Sequence, residues 1–197
     1  YVDRNASDTR VLVQCVHFTN TMLLLAALTL TWWWLRSPST KPAGPEAPRA
    51  RSLAWMAFAL TILTGASGSV AALADTLFPS LSLREGLARD FAAGAPLLVH
   101  MRWIHPAAAV LASVAIVTLC LRLSRTAALW LGGLLLFQFV LGIADMVALA
   151  PITLQILHLL GADLLWIALV AASSDLLFAN APASAPAHAA VVSSAQS

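Results

Sequence analysis

This chain carries little charge. Of its 197 residues 11 are Lys or Arg and 9 are Asp or Glu, a tenth of the total, with a net formal charge of +2. A soluble domain of this size carries about a quarter charged residues, so that class is excluded. The few basic residues are scattered and form no stripe of the kind that binds nucleic acid, so no such partner is expected. Cysteine is nearly absent too. Cys15 and Cys120 lie near opposite ends of different apolar runs, beyond disulfide reach, and are expected to serve as packing residues. Ahead of the first apolar run there is neither a charged leader nor a small-residue cleavage site, and the chain opens at Tyr1; a piece of a longer protein is expected.

What the chain does have is hydrophobic length. Residues of that kind make up 60% of the sequence and gather in five runs: Val11 to Leu35, Leu53 to Leu73, Leu98 to Leu121, Thr126 to Leu149 and Ile152 to Phe178. Each is long enough to cross a membrane, since roughly 20 helical residues rising about 1.5 Å apiece span about 30 Å. The runs are rich in Leu and Ala and lack the alternation of barrel strands, so helices must satisfy the backbone in lipid. The expected fold is all-α, a polytopic bundle of five transmembrane helices in the bilayer.

Arg36, Lys41, Arg49 and Arg51 crowd the Pro-rich linker 36–52, and Arg122 and Arg125 flank the turn before the fourth run. Arg4, Arg10, Arg84, Arg89 and Arg102 are spread more thinly over the other side. The denser side is expected to be cytoplasmic, in a multi-pass plasma-membrane protein. Trp32, Trp33 and Trp34 sit where an interfacial aromatic belt would lie. In the outer loop, Ser82 to Glu85 forms a capping-box pattern, and Leu83, Leu87 and Phe91 recur four apart. A short amphipathic surface helix is expected there, a connector rather than a lid. The tail 179–197, Ala-, Ser- and Pro-rich, reads as disordered, with His188 inert.

With alternating topology, His17, His105 and His158 fall at one depth, about 9 Å inside the outer boundary. An unpartnered imidazole at that depth is costly, so each should have a partner. For any one of them a neighbouring carbonyl or a water cavity would suffice. For the set, a haem held between helices through two imidazoles is favoured. His100, five residues before His105, is expected at the surface.

Val13-Gln14-Cys15-Val16-His17 resembles Leu154-Gln155-Ile156-Leu157-His158, and Leu24, Ala27 and Leu28 fall opposite Leu165, Ala168 and Leu169. This points to an internal duplication, with equivalent sites in two halves. Gln14 and Gln155 share a helix face with their histidines and either meet the haem edge or bond a neighbouring backbone. Arg102, one turn outward of His105, either pairs with a haem propionate or snorkels to the interface. Asp75 and Asp145 read as helix-end residues, and Asp163 as a weak functional candidate on another face from His158. Gly65 and Gly68, like Gly132 and Gly133, are expected to permit close helix packing. Pro106 is expected to bend its helix at the ligand.

Arg102-Trp103-Ile104-His105-Pro106 with the Ala-rich stretch after it, Gln138 to Gly142 with Leu149-Ala150-Pro151, Gln155 to Trp166, Thr64-Gly65-Ala66 and Asp75 to Pro79 together are similar to the haem A synthases (CtaA-like). The likeness runs to about Ser174 and starts at the fourth helix of that family. It implies that 1–35 ends a truncated N-terminal half, that 36–52 is a linker, and that 53–178 is a four-helix domain holding haem b on His105 and His158. Arg102 and Gln155 are further candidate haem contacts. His17 matches a ligand of a second haem site whose partner lies outside this chain. The family's oxidation of haem O to haem A is assigned to that other half, so no catalytic residue is expected in these 197. Haem O synthase and an electron donor are implied partners. Many members carry a cysteine pair in the outer loops; residues 74–97 have none.

Overall fold

The structure, a computed structural model, describes residues 8–36 and 47–178; most of the Pro-rich linker and the tail with His188 lie outside the described residues. Within them the chain is helical: α1 (Asp8–Arg36), α2 (Ala47–Leu77), α3 (Leu83–Asp90), α4 (Leu97–His100), α5 (Ile104–Cys120), α6 (Arg125–Val147) and α7 (Ile152–Phe178). Five segments, with α4 and α5 counted as one, are long and apolar enough to cross a membrane.

The ends of these helices refine the sequence reading. α2 starts inside the expected linker, so Arg49 and Arg51 ride on its first turns. Pro48 permits this, because a proline in the first turn has no bond to lose. The third apolar run is interrupted: between α4 and α5 the residues Met101–Trp103 form a 3-10 turn, and the Ile104 N–H reaches back to the Met101 carbonyl. Pro106, two residues on, has no N–H for the Arg102 carbonyl, so tightening there loses little. Ser82 caps α3, its hydroxyl accepting from the Glu85 N–H, while Glu85 accepts from the Leu81 N–H at 3.1 Å. No residue of α3 is buried.

Between α6 and α7 the chain turns through two left-handed residues, Leu149 (φ 63°) and Ala150 (φ 56°). Neither is glycine, and the left-handed region costs an L-residue about 1–2 kcal/mol. Two bonds hold the turn. The Ala150 N–H donates to the Asp145 carbonyl at 2.7 Å, and the Gln155 side-chain amide donates to the Ala150 carbonyl at 2.6 Å.

α2, α5, α6 and α7 pack in a ring, each on the next, and α1 lies outside it against α2 and α7. Small residues, Ala54 and Ala57 on α2 and Ala112 and Ala115 on α5, are buried and let these helices approach closely. Phe58, Ile116, Leu119, Leu131, Trp166 and Leu169 fill the core. Trp166 meets Phe58 edge-on, ring centres 5.4 Å apart, and its Nε1–H donates to the Met22 carbonyl of α1 at 2.7 Å. Trp33 departs from the aromatic-belt expectation. Trp32 and Trp34 are exposed, but Trp33 is buried and donates to Asp175 at 3.2 Å, a second tie between α1 and α7. Gly65 meets Phe18 of α1, as close packing requires, whereas Gly132 and Gly133 face open space and pack nothing.

Trp166 thus fastens α1 by shape and by one bond. Trp166→Phe should lower unfolding stability in detergent micelles by about 1 kcal/mol, and Trp166→Ala by about 3–5 kcal/mol. Equal losses for the two would show that the ring's packing counts for little.

Candidate functional site

Two imidazoles meet across the ring of helices. His105 opens α5 and His158 lies in the second turn of α7; their ring centres are 6.3 Å apart and their planes stand at 89°. One face of α2 builds the support for the first. Thr64, Gly68 and Asp75 are spaced by four and seven residues and so share a stripe. The Nδ1–H of His105 donates to the Thr64 carbonyl at 3.0 Å, which leaves Nε2 with a free lone pair. Gly68 makes room for the ring: a Cβ there would stand 2.9 Å from Cε1 of His105. Gly142 of α6 does the same for His158, where a Cβ would stand 3.2 Å from Cε1. The Nδ1 of His158 is buried and has no hydrogen-bond partner.

These features fit a metal centre with two protein ligands. Two imidazoles sharing one ion, each with a metal–nitrogen bond of about 2 Å and about 1.1 Å from nitrogen to ring centre, would have centres up to about 6.2 Å apart, close to the 6.3 Å seen here. Among the described residues no three His, Cys, Asp or Glu side chains gather around a common point. An ion held here would therefore bring its other ligands with it, as haem iron does.

Arg102 sits in the 3-10 turn, where Nη1 lies 2.7 Å from Asp75 of α2 and Nε 3.1 Å from Asp90 at the end of α3. This double ion pair holds the guanidinium inside the protein rather than snorkelled to the interface, and leaves its Nη2 buried without a hydrogen-bond partner. Gln155 bonds backbone, in the α6–α7 turn. Gln14 also bonds backbone, its amide donating to the Ser69 carbonyl at 3.1 Å. That bond sets Gln14 level with Ser69, so His17, nearly one turn inward, lies level with the His105–Thr64 contact. Yet His17 is exposed on the outer side of α1, in a shallow depression with Leu12, Val13, Val16 and Asn20, and no described residue there is a second histidine.

His100 is not the plain surface residue expected. It is half-buried and donates from Nδ1 to the Asp90 carbonyl at 2.6 Å. Asp145 has a buried, unpartnered Oδ1, and Asp163 is half-buried on α7. Sequence reasoning gives Gly142 no role and reads Gly68 as a packing residue; a glycine on a helix facing the histidine is the available signal. Gln138 escapes it as well: this residue is buried, and its amide fills the space that a side chain at Gly161 would need. Both cysteines are free.

Known proteins are similar to this sequence. The profile of the cytochrome oxidase assembly protein family COX15-CtaA matches residues 3–170. Two relatives, each named protoheme IX farnesyltransferase, come from two strains of Thermus thermophilus; both are 38% identical over 178 residues, covering 84% of this chain and 28% of the relative. The chain thus spans little more than a quarter of their length. No solved structure gives a significant match.

If the imidazole pair holds a haem and the two glycines exist to admit its rings, Gly68→Val and Gly142→Val should each cut any haem retained by the purified protein at least tenfold, with helix content by circular dichroism unchanged. Gly133→Val, which faces open space, should retain wild-type haem. Full retention by the first two variants would count against this geometry.

Proposed function

Because the chain belongs to the COX15-CtaA family of cytochrome oxidase assembly proteins, we propose that it is the haem b-holding part of a haem A synthase-like membrane oxidoreductase, with His105 and His158 as the residues that would hold the haem iron. The observation that carries this reading is the facing imidazole pair, spaced at 6.3 Å and seated over two glycines. Bound haem would supply one-electron redox chemistry. The protein's own part is to hold it. Thr64 fixes the His105 tautomer through its carbonyl, and Gly68 and Gly142 set the depth of the half-buried rings.

In this proposal, residues 53–178 form the haem b domain and 1–35 belongs with a second half, where His17 would serve another haem. Oxidation of haem O to haem A would take place in that half, on groups outside residues 1–197, with an electron donor and haem O synthase as partners. The name of the Thermus relatives supports a haem-related substrate class. It describes proteins of which this chain matches 28%, and farnesyl transfer has no counterpart in the imidazole site. We place the protein in a bacterial plasma membrane, and the density of arginines at the Arg36 end supports an orientation with that end in the cytoplasm. A simple b-type electron carrier or an assembly scaffold is the competing reading.

Visible spectra of the purified protein separate these readings. A low-spin haem signal is expected, lost or converted to high spin in His105→Ala and His158→Ala and intact in His100→Ala; absence of haem from the wild type would leave only the scaffold. Activity gives a second test. Cells expressing residues 1–197 with haem B and haem O supplied should contain no haem A above the empty-vector level when haems are extracted and chromatographed, because positioned reactive groups supply much of any rate and those groups lie elsewhere. Haem A above that level would place the oxidising residues within this chain.

A further inference from the structure

The outer end of the site holds a polar cluster for which the reading above has no use. Arg102 is shared by two carboxylates, Asp75 of α2 at 2.7 Å and Asp90 of α3 at 3.1 Å. One guanidinium neutralises one of them, so the cluster carries a surplus negative charge a single turn from His105. The two carboxylates are not equivalent. Asp90 has the longer contact and the more enclosed side chain, 12% exposed against 31% for Asp75. Burial pushes the Asp90 carboxyl above the usual carboxylate range; Arg102 pulls it back, Asp75 adds to the rise and His100 opposes it. Among the described residues, those three are the charged or titratable groups that face Asp90 from the 3-10 turn, α2 and α4. On its own helix, Glu85 and Arg89 pair with each other at 3.7 Å. The end of α3 is held in place twice more, by His100 on the Asp90 carbonyl at 2.6 Å and by the Phe91 ring against Trp103 at 4.8 Å.

We propose that Asp90 is a redox-linked proton acceptor: when the bis-histidine centre takes one electron from a one-electron carrier, the Asp90 carboxylate takes one proton from the outer water, and it releases that proton on oxidation. The inference rests on the haem reading above. An added electron makes the region more negative, and of the two carboxylates on Arg102, Asp90 is the one whose protonation removes the surplus charge while leaving the shorter Arg102–Asp75 pair intact. The electron and proton arrive together, so charge near His105 is unchanged by the full step. A reduced state that binds the proton more tightly is favoured at low pH, so the midpoint potential falls as pH rises.

The test is a dithionite titration of the haem-loaded protein in detergent, monitored by its visible spectrum, at a series of pH values. The wild-type potential should fall with rising pH by up to about 59 mV per unit, a tenfold change in proton activity converted for one electron. Asp90→Asn should flatten that dependence and raise the potential at high pH, Asp90→Glu should restore the slope with a shifted midpoint, and His100→Gln should keep it. Proton uptake on reduction of the wild type, read with a pH-indicator dye, provides a measurement that needs no variant. A flat wild-type profile, or a slope that survives Asp90→Asn or vanishes in His100→Gln, would overturn the proposal while leaving the haem reading intact. A protein that holds no haem on His105 and His158 would instead bring down the reading on which it rests.

Discussion

One hydrogen bond, from the His105 ring to the Thr64 carbonyl, sets the terms for the outer half of this bundle. Lipid supplies no partner to a polar side chain, so an imidazole placed among apolar helices has to be satisfied by the protein itself. For a ring on α5 to reach a carbonyl of α2, the two helices must come close, and a side chain on α2 opposite that ring would block the approach. Gly68 meets the second requirement, and the buried alanines 54, 57, 112 and 115 meet the first. The bond also settles which ring nitrogen keeps its lone pair. Packing, tautomer and binding capacity thus depend on one contact.

The same scarcity of polar partners explains how α1 is attached. Among the described residues its hydrogen-bonded ties to the ring are three side chains on backbone carbonyls (Gln14 on Ser69, Cys15 on Ala66, Trp166 on Met22) and one indole on a carboxylate (Trp33 on Asp175). They lie at both ends and the middle of the helix and fix its rotation. With that rotation fixed, Met22 and Trp33 face inward while His17 and its neighbours Leu12, Val13 and Val16 face away from the ring.

Much of this architecture is legible in the sequence because membrane spans are a matter of length and composition. The five runs match the helices within a few residues of their ends, and where an end moves, as at α2, a proline tolerated in the first turn is the cause. Counting residues along helices is enough to set the three histidines at one depth. Facing is harder. Depth is one-dimensional along a helix, whereas the neighbours of Arg102 come from α2 and α3, far off in sequence, and no periodicity announces that two aspartates will converge on it. Gly68 and Gly132 look alike in the chain. Only packing shows that one holds open the space for a ring and the other faces outward.

The turn between α6 and α7 has a consequence for how such chains can vary. Its strained pair Leu149 and Ala150 is locked by the Asp145 carbonyl and the Gln155 amide, and it separates Gly142 from His158, which must end up side by side. Each residue added to a continuous helix rotates the chain beyond it by about 100° and lifts it about 1.5 Å. An insertion or deletion in the turn would break the two bonds that lock it, and one in the helical stretch between it and His158 would swing that ring away from both Gly142 and His105 at once. The turn therefore works as a gauge of fixed length, and changes in chain length should accumulate in other connections and be purged from this one.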